Sequence, residues 1–191
     1  MSRGTLAPMR ILVVGGTRFV GRHLVAAVLA RGHQVTVLHR GVGCTGAAGV
    51  EHLHADRDAD LGVLAGRTWD ATVDTCAYLP RQVSLLADAL GDRGGRYALV
   101  STVSVYADVA GPGLDEQAPV VAPAGLDGSA PAVDMLTYGA LKVGCEQVAA
   151  QRFAGALLVV RPTFIVGPYD HTARFPYWVA RLARGGEVLA P

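Results

Sequence analysis

The sequence predicts an α/β fold in which helices cover both faces of a doubly wound parallel sheet of about six strands. Short runs rich in apolar and β-branched residues alternate with longer segments whose apolar residues recur at helical spacing. We expect strands at 10–15, 34–39, 50–54, 70–74, 96–100 and 156–160, and helices at 19–31, 59–66, 81–90, 137–153 and 173–184. Strands and helices that alternate in this way form βαβ units with right-handed crossovers, which build a parallel sheet.

Composition and charge narrow the class of protein. Of the 191 residues, 51% are hydrophobic and 17% are charged, which indicates a folded chain with a sizeable core. A formal net charge of +1 gives no broad positive surface for nucleic acid, and no apolar run approaches the ~20 residues that span a bilayer. The N-terminus lacks the apolar segment of a secretion signal. Because the three cysteines (Cys44, Cys76 and Cys145) lack metal-ligand spacing, we predict reduced thiols in a cytoplasmic protein.

The first predicted strand runs directly into a glycine-rich turn, VGGTRFVG at 14–21, which leads into a helix. A dinucleotide-binding turn needs glycine where the backbone bends sharply, where it approaches a pyrophosphate and where the helix packs on the strand. Gly15 and Gly21 fill the first and last of these roles, whereas Arg18 occupies the place of the middle glycine. The position of the turn in an α/β chain predicts a Rossmann-like dinucleotide site.

The end of the second predicted strand indicates which dinucleotide is preferred. An NAD site usually has Asp or Glu about 20 residues after the glycines, but this sequence has His39 and Arg40 there. A carboxylate would repel the 2′-phosphate of NADP, whereas a guanidinium forms forked hydrogen bonds with it. We therefore predict NADP in preference to NAD, with Arg18 on the same rim. The alternative is that Arg18 and Arg40 are ordinary solvated cations.

Tyr138 and Lys142 stand four residues apart at the start of a predicted helix, which places both side chains on one face. An ammonium group beside a phenol favours the phenolate, so Lys142 is expected to lower the pKa of Tyr138 and suit it to acid–base catalysis. Ser101 and Thr102 follow the fifth strand, where a hydroxyl could bond a substrate oxygen near the tyrosine. A Tyr–Lys pair at this spacing is, by itself, also typical of an ordinary helix surface.

Together these motifs resemble the extended or atypical branch of the short-chain dehydrogenase/reductase superfamily, the NAD-dependent epimerase/dehydratase family, from residue 10 to about 190. The turn at 15–21 is similar to the GGTRFxG variant of that branch. The resemblance implies that Tyr138 exchanges a proton with a substrate hydroxyl or carbonyl and that Thr102 polarises the same oxygen. It further implies that Lys142 holds the nicotinamide ribose while hydride passes to or from the nicotinamide.

The same resemblance extends the binding site along the chain and implies an adenine contact at Asp56, after the third strand. The residues expected to bind the dinucleotide are Gly15, Gly16, Thr17, Arg18, Phe19, Val20, Gly21, His39, Arg40, Asp56, Arg57, Thr75, Cys76, Ala77, Tyr78, Ser101, Lys142, Pro162, Thr163 and Ile165. No metal site is expected.

Members of this branch are usually longer, so the resemblance implies a dinucleotide-binding domain at 1–170 and the start of a truncated substrate lobe at 171–191. A small-molecule substrate, such as a sugar nucleotide or a secondary metabolite, is expected. A homodimer could form through the helix of Tyr138 and Lys142, where several apolar residues serve equally well as core: Ala140, Leu141, Val143, Val148 and Ala149.

Other functions remain open at this point. A truncated member could serve as a non-redox module that senses the cofactor or binds a partner, or as a cofactor-independent isomerase or cyclase. Retention of Thr102, Tyr138 and Lys142 argues against a pure scaffold. Some relatives with the same glycine pattern are associated with RNA, but a net charge of +1 gives that function little support.

Overall fold

The computed structural model describes residues 7–41, 49–128 and 131–189, and it contains the predicted doubly wound sheet. Six strands pair in the order β3-β2-β1-β4-β5-β6, and every neighbouring pair is parallel. The strands are β1 (Arg10–Val14), β2 (Gln34–His39), β3 (Val50–His54), β4 (Ala71–Asp74), β5 (Arg96–Val100) and β6 (Leu157–Val160). The predicted fold class is confirmed, and the predicted strand ends are correct to within one residue.

In the described part of the chain, four α-helices accompany the sheet: α1 (Phe19–Ala30), α2 (Pro80–Leu90), α3 (Tyr138–Arg152) and α4 (Arg174–Ala183). The helix predicted at 59–66 was wrong, because only Gly62–Leu64 forms a single 3₁₀ turn. Two glycines in this short segment disfavour a helix, while Leu61 and Leu64 are buried in the core instead.

The alternation of side chains along β1 divides the core into two layers. Leu12 and Val14 pack with residues of α2 and α3 on one face of the sheet. Ile11 and Val13 pack with residues of α1 on the other face. Successive side chains of a strand point to opposite faces, so a nearly continuous apolar strand is buried on both sides.

Helix α3 contributes its apolar side chains mainly to this core. Leu141, Val143 and Ala149 are buried within the single chain, while Ala140 and Val148 are half-buried. The three buried residues therefore serve as core rather than as an exposed dimer surface. Pairing through α3 stays a prediction.

The strand order places a crevice at the carboxyl ends of β1 and β4. From β1 the chain passes through α1 to β2 and β3 on one side, and then crosses to β4 and β5 on the other. Connections that leave in opposite directions open the sheet edge at such a switch point, where doubly wound folds bind ligands.

The irregular segment at 107–128 is held to the fold by backbone hydrogen bonds and by Arg161. Tyr106 forms an antiparallel bridge with Val120. The guanidinium of Arg161 donates to both carboxylate oxygens of Glu146, at 3.1 and 2.7 Å, and to the carbonyl of Glu116 at 3.2 Å. One arginine thus joins the end of β6, helix α3 and the segment.

Helix α4 lies on the surface with its apolar side chains exposed. Phe175, Tyr177, Val179 and Leu182 are each more than half exposed. Within the described ranges, no helix is long and apolar enough to cross a membrane. Cys76 and Cys145 carry free thiols, whereas Cys44 lies outside the described residues.

Candidate functional site

A cavity of about 680 Å³ lies at the carboxyl ends of β1, β2 and β4. Its volume falls in the range of small-molecule and cofactor sites. Fourteen of the residues predicted to bind a dinucleotide line it: Gly15, Gly16, Thr17, Arg18, Phe19, Val20, Gly21, His39, Arg40, Asp56, Arg57, Thr75, Cys76 and Tyr78. The structure thus brings together four segments that are far apart in the sequence.

The glycine-rich turn forms one wall of the cavity with its backbone. Gly15 has a φ of +100°, and a Cβ on it would lie 2.4 Å from the hydroxyl oxygen of Thr75. A Cβ on Gly21 would lie 2.6 Å from the Cα of Gly16, so the first turn of α1 packs directly on the glycine turn. Arg18, at the position of the usual middle glycine, is exposed, and its side chain does not cap α1. The first amides of α1 are therefore available to an anion.

His39, at the end of β2, lines the cavity but uses both ring nitrogens within the protein. Its Nδ1 accepts a hydrogen bond from the backbone N–H of Gly41 at 2.9 Å, and its Nε2 lies 3.0 Å from Nδ1 of His52. Burial lowers the pKa of His39, and the neighbouring His54 and His52 lower it further. A neutral ring with its proton on Nε2 satisfies both bonds. Arg40 follows as an exposed cation at the cavity.

Beneath the cavity lies a buried ion pair between Arg57 and Asp74. The two guanidinium nitrogens of Arg57 donate to the two carboxylate oxygens of Asp74 at 2.8 and 2.7 Å. The same carboxylate accepts bonds from the Tyr97 hydroxyl at 2.9 Å and from the Cys76 amide at 3.1 Å. Arg57 also donates to the carbonyl of Gln82 at 3.1 Å. Arg57, which the sequence analysis predicts to contact a dinucleotide, therefore uses its guanidinium to join the segments beneath the cavity.

The ion pair is charged at neutral pH. Burial alone would raise the pKa of Asp74, but the charge and hydrogen bonds of Arg57 outweigh burial and hold that pKa below its ordinary value. A carboxylate with a lowered pKa stabilises the fold at pH values above its unfolded pKa of about 3.9. This contribution is lost as the pH falls through the lowered value.

The loop after β3 is joined to the start of α2 through Gln82. The side-chain oxygen of Gln82 accepts hydrogen bonds from the amides of Tyr78 and Leu79, at 2.9 and 3.2 Å. Its side-chain nitrogen donates to Asp58 at 2.8 Å, and Arg81 pairs with the same carboxylate. The backbone on both sides of the cavity mouth is therefore fixed by one side chain.

The three predicted catalytic residues lie beyond the cavity lining, on α3 and the end of β5. Tyr138 lies near Thr102, whose hydroxyl influences the pKa of the phenol. The ammonium of Lys142 is buried and donates to the carbonyls of Ala77 and Val100, both at 2.7 Å. Thr102 and Tyr138 are thus brought together, whereas Lys142 joins the loop after β4 to β5.

The predicted direction of the Tyr138 pKa shift was wrong for this structure. Burial raises the pKa of Tyr138, the nearby Tyr78 raises it further, and the Thr102 hydroxyl acts in the opposite direction. Lys142 exerts no comparable effect on this pKa, and its ammonium is bonded to the carbonyls of Ala77 and Val100. Burial in turn lowers the pKa of Lys142.

Gly139 permits the contact between Tyr138 and Thr102. A Cβ at this position would lie 2.2 Å from the carbonyl oxygen of Ser104, in the short turn that follows Thr102. The absence of a side chain therefore lets this turn press against the first turn of α3. No pattern in the sequence indicated a role for Gly139, because Ser104, which packs against it, is 35 residues away along the chain.

The remaining predicted binding residues lie outside the cavity lining. Ser101 is buried, and its hydroxyl has no hydrogen-bond partner among the described residues. The carbonyl of Pro162 accepts from the amide of Val103 at 3.1 Å, and Thr163 and Ile165 are exposed. Ala77 is buried and contributes only its carbonyl to Lys142.

Sequence reasoning missed several residues that do line the cavity: Val14, Leu38, Ala55, Asp58, Leu79, Gln82, Val133 and His171. A local signal existed for Gln82, which stands at the third position of a helix that begins with proline, where Gln commonly caps. Val133 and His171 come from irregular segments, and only the tertiary fold brings them to the cavity.

The chain belongs to the NAD dependent epimerase/dehydratase family, whose model matches residues 11–190. Solved structures with the same fold include a candidate epimerase from Burkholderia cenocepacia J2315, 25% identical with a TM-score of 0.72, over 95% of this chain and 62% of that one. The Bordetella bronchiseptica enzyme WbmG in complex with NAD is 20% identical with a TM-score of 0.75, over 98% of this chain and 63% of that one. A further WbmG structure contains NAD and UDP.

A UDP-galactose 4-epimerase is 24% identical with a TM-score of 0.70, over 95% of this chain and 65% of that one. The chain therefore spans less than two thirds of the length of each of these three structures. No curated protein matches the sequence significantly.

We expect Asp74→Asn to lower the free energy of unfolding by about 3–5 kcal/mol, because Arg57 would remain buried without its counterion. Urea denaturation at neutral pH measures the loss. Arg67→Gln is the matched control, since it breaks an ion pair with Glu51 whose side chains are 40% and 50% exposed. It should cost less than about 1 kcal/mol. Equal losses in the two variants would contradict a structural role for the buried pair.

We expect Gly139→Ala to separate Thr102 from Tyr138 and to destabilise the fold by about 1–3 kcal/mol, the usual cost of overpacking. Nuclear magnetic resonance of the two residues and thermal unfolding report both effects. Gln147→Ala, at an exposed position of the same helix, should change neither. If Gly139→Ala matched that control, the close approach would not be needed.

Proposed function

We propose that the chain forms the nicotinamide-dinucleotide site of an oxidoreductase or epimerase that acts on a small carbonyl or hydroxyl compound. Tyr138 is the general acid or base, Thr102 polarises the substrate oxygen and Lys142 holds the nicotinamide ribose. The observation that carries the proposal is the glycine-walled cavity at the switch point of the sheet, whose lining residue Tyr78 has its ring 6.3 Å from that of Tyr138.

The residues of the cavity suit a dinucleotide. A Cβ at Gly15 or Gly21 would collide with neighbouring atoms, so bare backbone and the first amides of α1 face the space where a pyrophosphate would bind. The partnerless, buried hydroxyl of Ser101 supports a polar ligand near the end of β5. When bound, the nicotinamide supplies or accepts a hydride.

Tyr138 is suited to donate a proton. Burial raises its pKa, so the phenol is neutral at physiological pH. A neutral phenol at that position can protonate a substrate oxygen as a carbonyl is reduced, and the reverse reaction requires it to take the proton back. Thr102 stands where its hydroxyl can bond the same oxygen.

Lys142 retains one donor for a ligand. An ammonium group has three N–H bonds, and the carbonyls of Ala77 and Val100 accept two of them. The third is available for a ribose hydroxyl. If the bound ligand also carried a positive charge and placed it near the phenol, that charge would oppose the rise in the Tyr138 pKa.

NADP is the preferred dinucleotide in this proposal. Arg40 and Arg18 are exposed cations on the cavity, and β2 ends in His39 rather than a carboxylate. WbmG was solved with NAD. A preference for NADP, which carries the 2′-phosphate, would distinguish this chain from WbmG. The UDP in the second WbmG structure supports a nucleoside-diphosphate sugar as the first substrate class to examine, with α4 at the start of the substrate-binding lobe.

Tyr138→Phe is expected to reduce turnover at least about 100-fold, because the proton donor is removed, while the affinity for NADP changes no more than a few-fold. The absorbance of the reduced nicotinamide, followed with a panel of nucleoside-diphosphate sugars and small ketones, measures turnover. Gln147→Ala, at an exposed position of α3, is the control. Full activity of Tyr138→Phe would remove Tyr138 from the mechanism.

Arg40→Ala is expected to weaken NADP by about tenfold or more and NAD by much less, because only NADP carries the phosphate that the guanidinium would bind. Calorimetric titration of both dinucleotides gives the two affinities. Arg31→Ala, an exposed cation at the end of α1, should leave both unchanged. An equal loss for NAD and NADP would refute the assignment of Arg40 to the 2′-phosphate.

A further inference from the structure

Tyr78 connects the cavity with the candidate proton donor. It follows β4, lines the cavity and is 46% exposed. Its ring centroid lies 6.3 Å from that of Tyr138, with the two ring planes tilted by 43°. Tyr138 itself does not line the cavity. Tyr78 is therefore the aromatic side chain that touches both the space for a ligand and the ring of Tyr138.

Two buried polar side chains hold the peptide group that joins Ala77 to Tyr78. The amide of Tyr78 donates to the side-chain oxygen of Gln82 at 2.9 Å. The carbonyl of the preceding residue, Ala77, accepts from the ammonium of Lys142 at 2.7 Å. A half-exposed aromatic residue on a surface loop would ordinarily be mobile. Here two anchors, one of them a predicted catalytic residue, set where the ring stands.

The surroundings of Tyr138 favour its neutral form. The groups that act on it are Tyr78 from the loop after β4, Thr102 from the end of β5, and Cys145 from its own helix, whereas the ammonium of Lys142 on that helix is bonded to the carbonyls of Ala77 and Val100. After burial, Tyr78 is the largest cause that raises the pKa of Tyr138. Two adjacent phenols resist simultaneous ionisation, because the second anion would form beside the first.

We propose that Tyr78 is a positioning residue of this site, whose ring packs against Tyr138 and holds that phenol beside Thr102. The proposal rests on the proposed role of Tyr138 as general acid. It adds a residue that the glycine turn and the Tyr–Lys spacing do not indicate.

Titration of the tyrosines by nuclear magnetic resonance tests the proposal without any ligand. Labelling at the ring carbon that bears the hydroxyl gives each tyrosine a signal, and Tyr138→Phe assigns the one of interest. In Tyr78→Phe, which keeps the ring but removes its hydroxyl, the midpoint of Tyr138 should move to lower pH. In Tyr78→Ala, which also uncovers the phenol, it should move further. Tyr177→Phe should leave it unchanged.

Kinetics separate positioning from general stability. At saturating dinucleotide, Tyr78→Ala should lower kcat about tenfold, since a misplaced proton donor slows the chemical step. Because Tyr78 also lines the cavity, the affinity for the dinucleotide is measured separately. Tyr78→Phe should restore most of kcat, because the ring is retained, and should shift the pH profile in the same direction as the resonance titration.

The outcomes distinguish this proposal from the proposed function. If Tyr138 follows the same titration curve in the wild-type protein and in folded Tyr78→Ala, the positioning role is overturned. The same conclusion applies if Tyr138 ionises in neither protein before alkaline unfolding. If wild-type protein binds neither NADP nor NAD, the proposed function fails, yet the titration still reports whether Tyr78 controls Tyr138. An unchanged kcat of Tyr78→Ala at saturating dinucleotide would also overturn the proposal.

Discussion

The carboxylate of Asp74 is the point on which the candidate site depends. It lies at the carboxyl end of β4, is fully buried and accepts four hydrogen bonds, two of them from Arg57. Through these bonds it joins the loop after β3, strand β5 and the backbone of Cys76 beneath the glycine turn. A buried charge is costly unless it is paired and fully hydrogen-bonded. The site therefore has one well-satisfied ionic centre under a cavity walled largely by backbone.

Side chains on one face of helix α3 contact three different parts of the structure. Tyr138 faces the end of β5, Lys142 reaches the carbonyls of two separate segments, and Cys145 and Ala149 continue the same face into the core. A displacement of the helix would thus alter core packing, the loop after β4 and the candidate proton donor at once. Such coupling explains why a position with no chemistry, Gly139, governs the geometry of the site.

Local patterns predicted much of this architecture. Alternating apolar runs located every strand, and the glycines at 15 and 21 located the cavity, because both signals depend on neighbours in the sequence. The partner of Arg57 was not predictable in this way, since Asp74 meets it only after β3 and β4 occupy their places in the sheet. The predicted direction of the Tyr138 pKa shift was wrong for the same reason. The four-residue spacing places Lys142 on the same helical face as Tyr138, but the carbonyls that bind its ammonium belong to distant segments of the chain. Tyr78 and Gln82 likewise acquire their roles from the fold.

Strand β6 is an outer strand of the sheet, and this bears on how the protein should be handled. One edge of β6 pairs with β5, and its other edge has no strand partner among the described residues. On this strand Leu158 and Val160 are 59% and 43% exposed. An open, apolar edge of this kind is a template for intermolecular strand pairing at high concentration. Crystallisation trials and storage would benefit from a lysine at 158, which adds a charge to that edge and lies well away from the cavity.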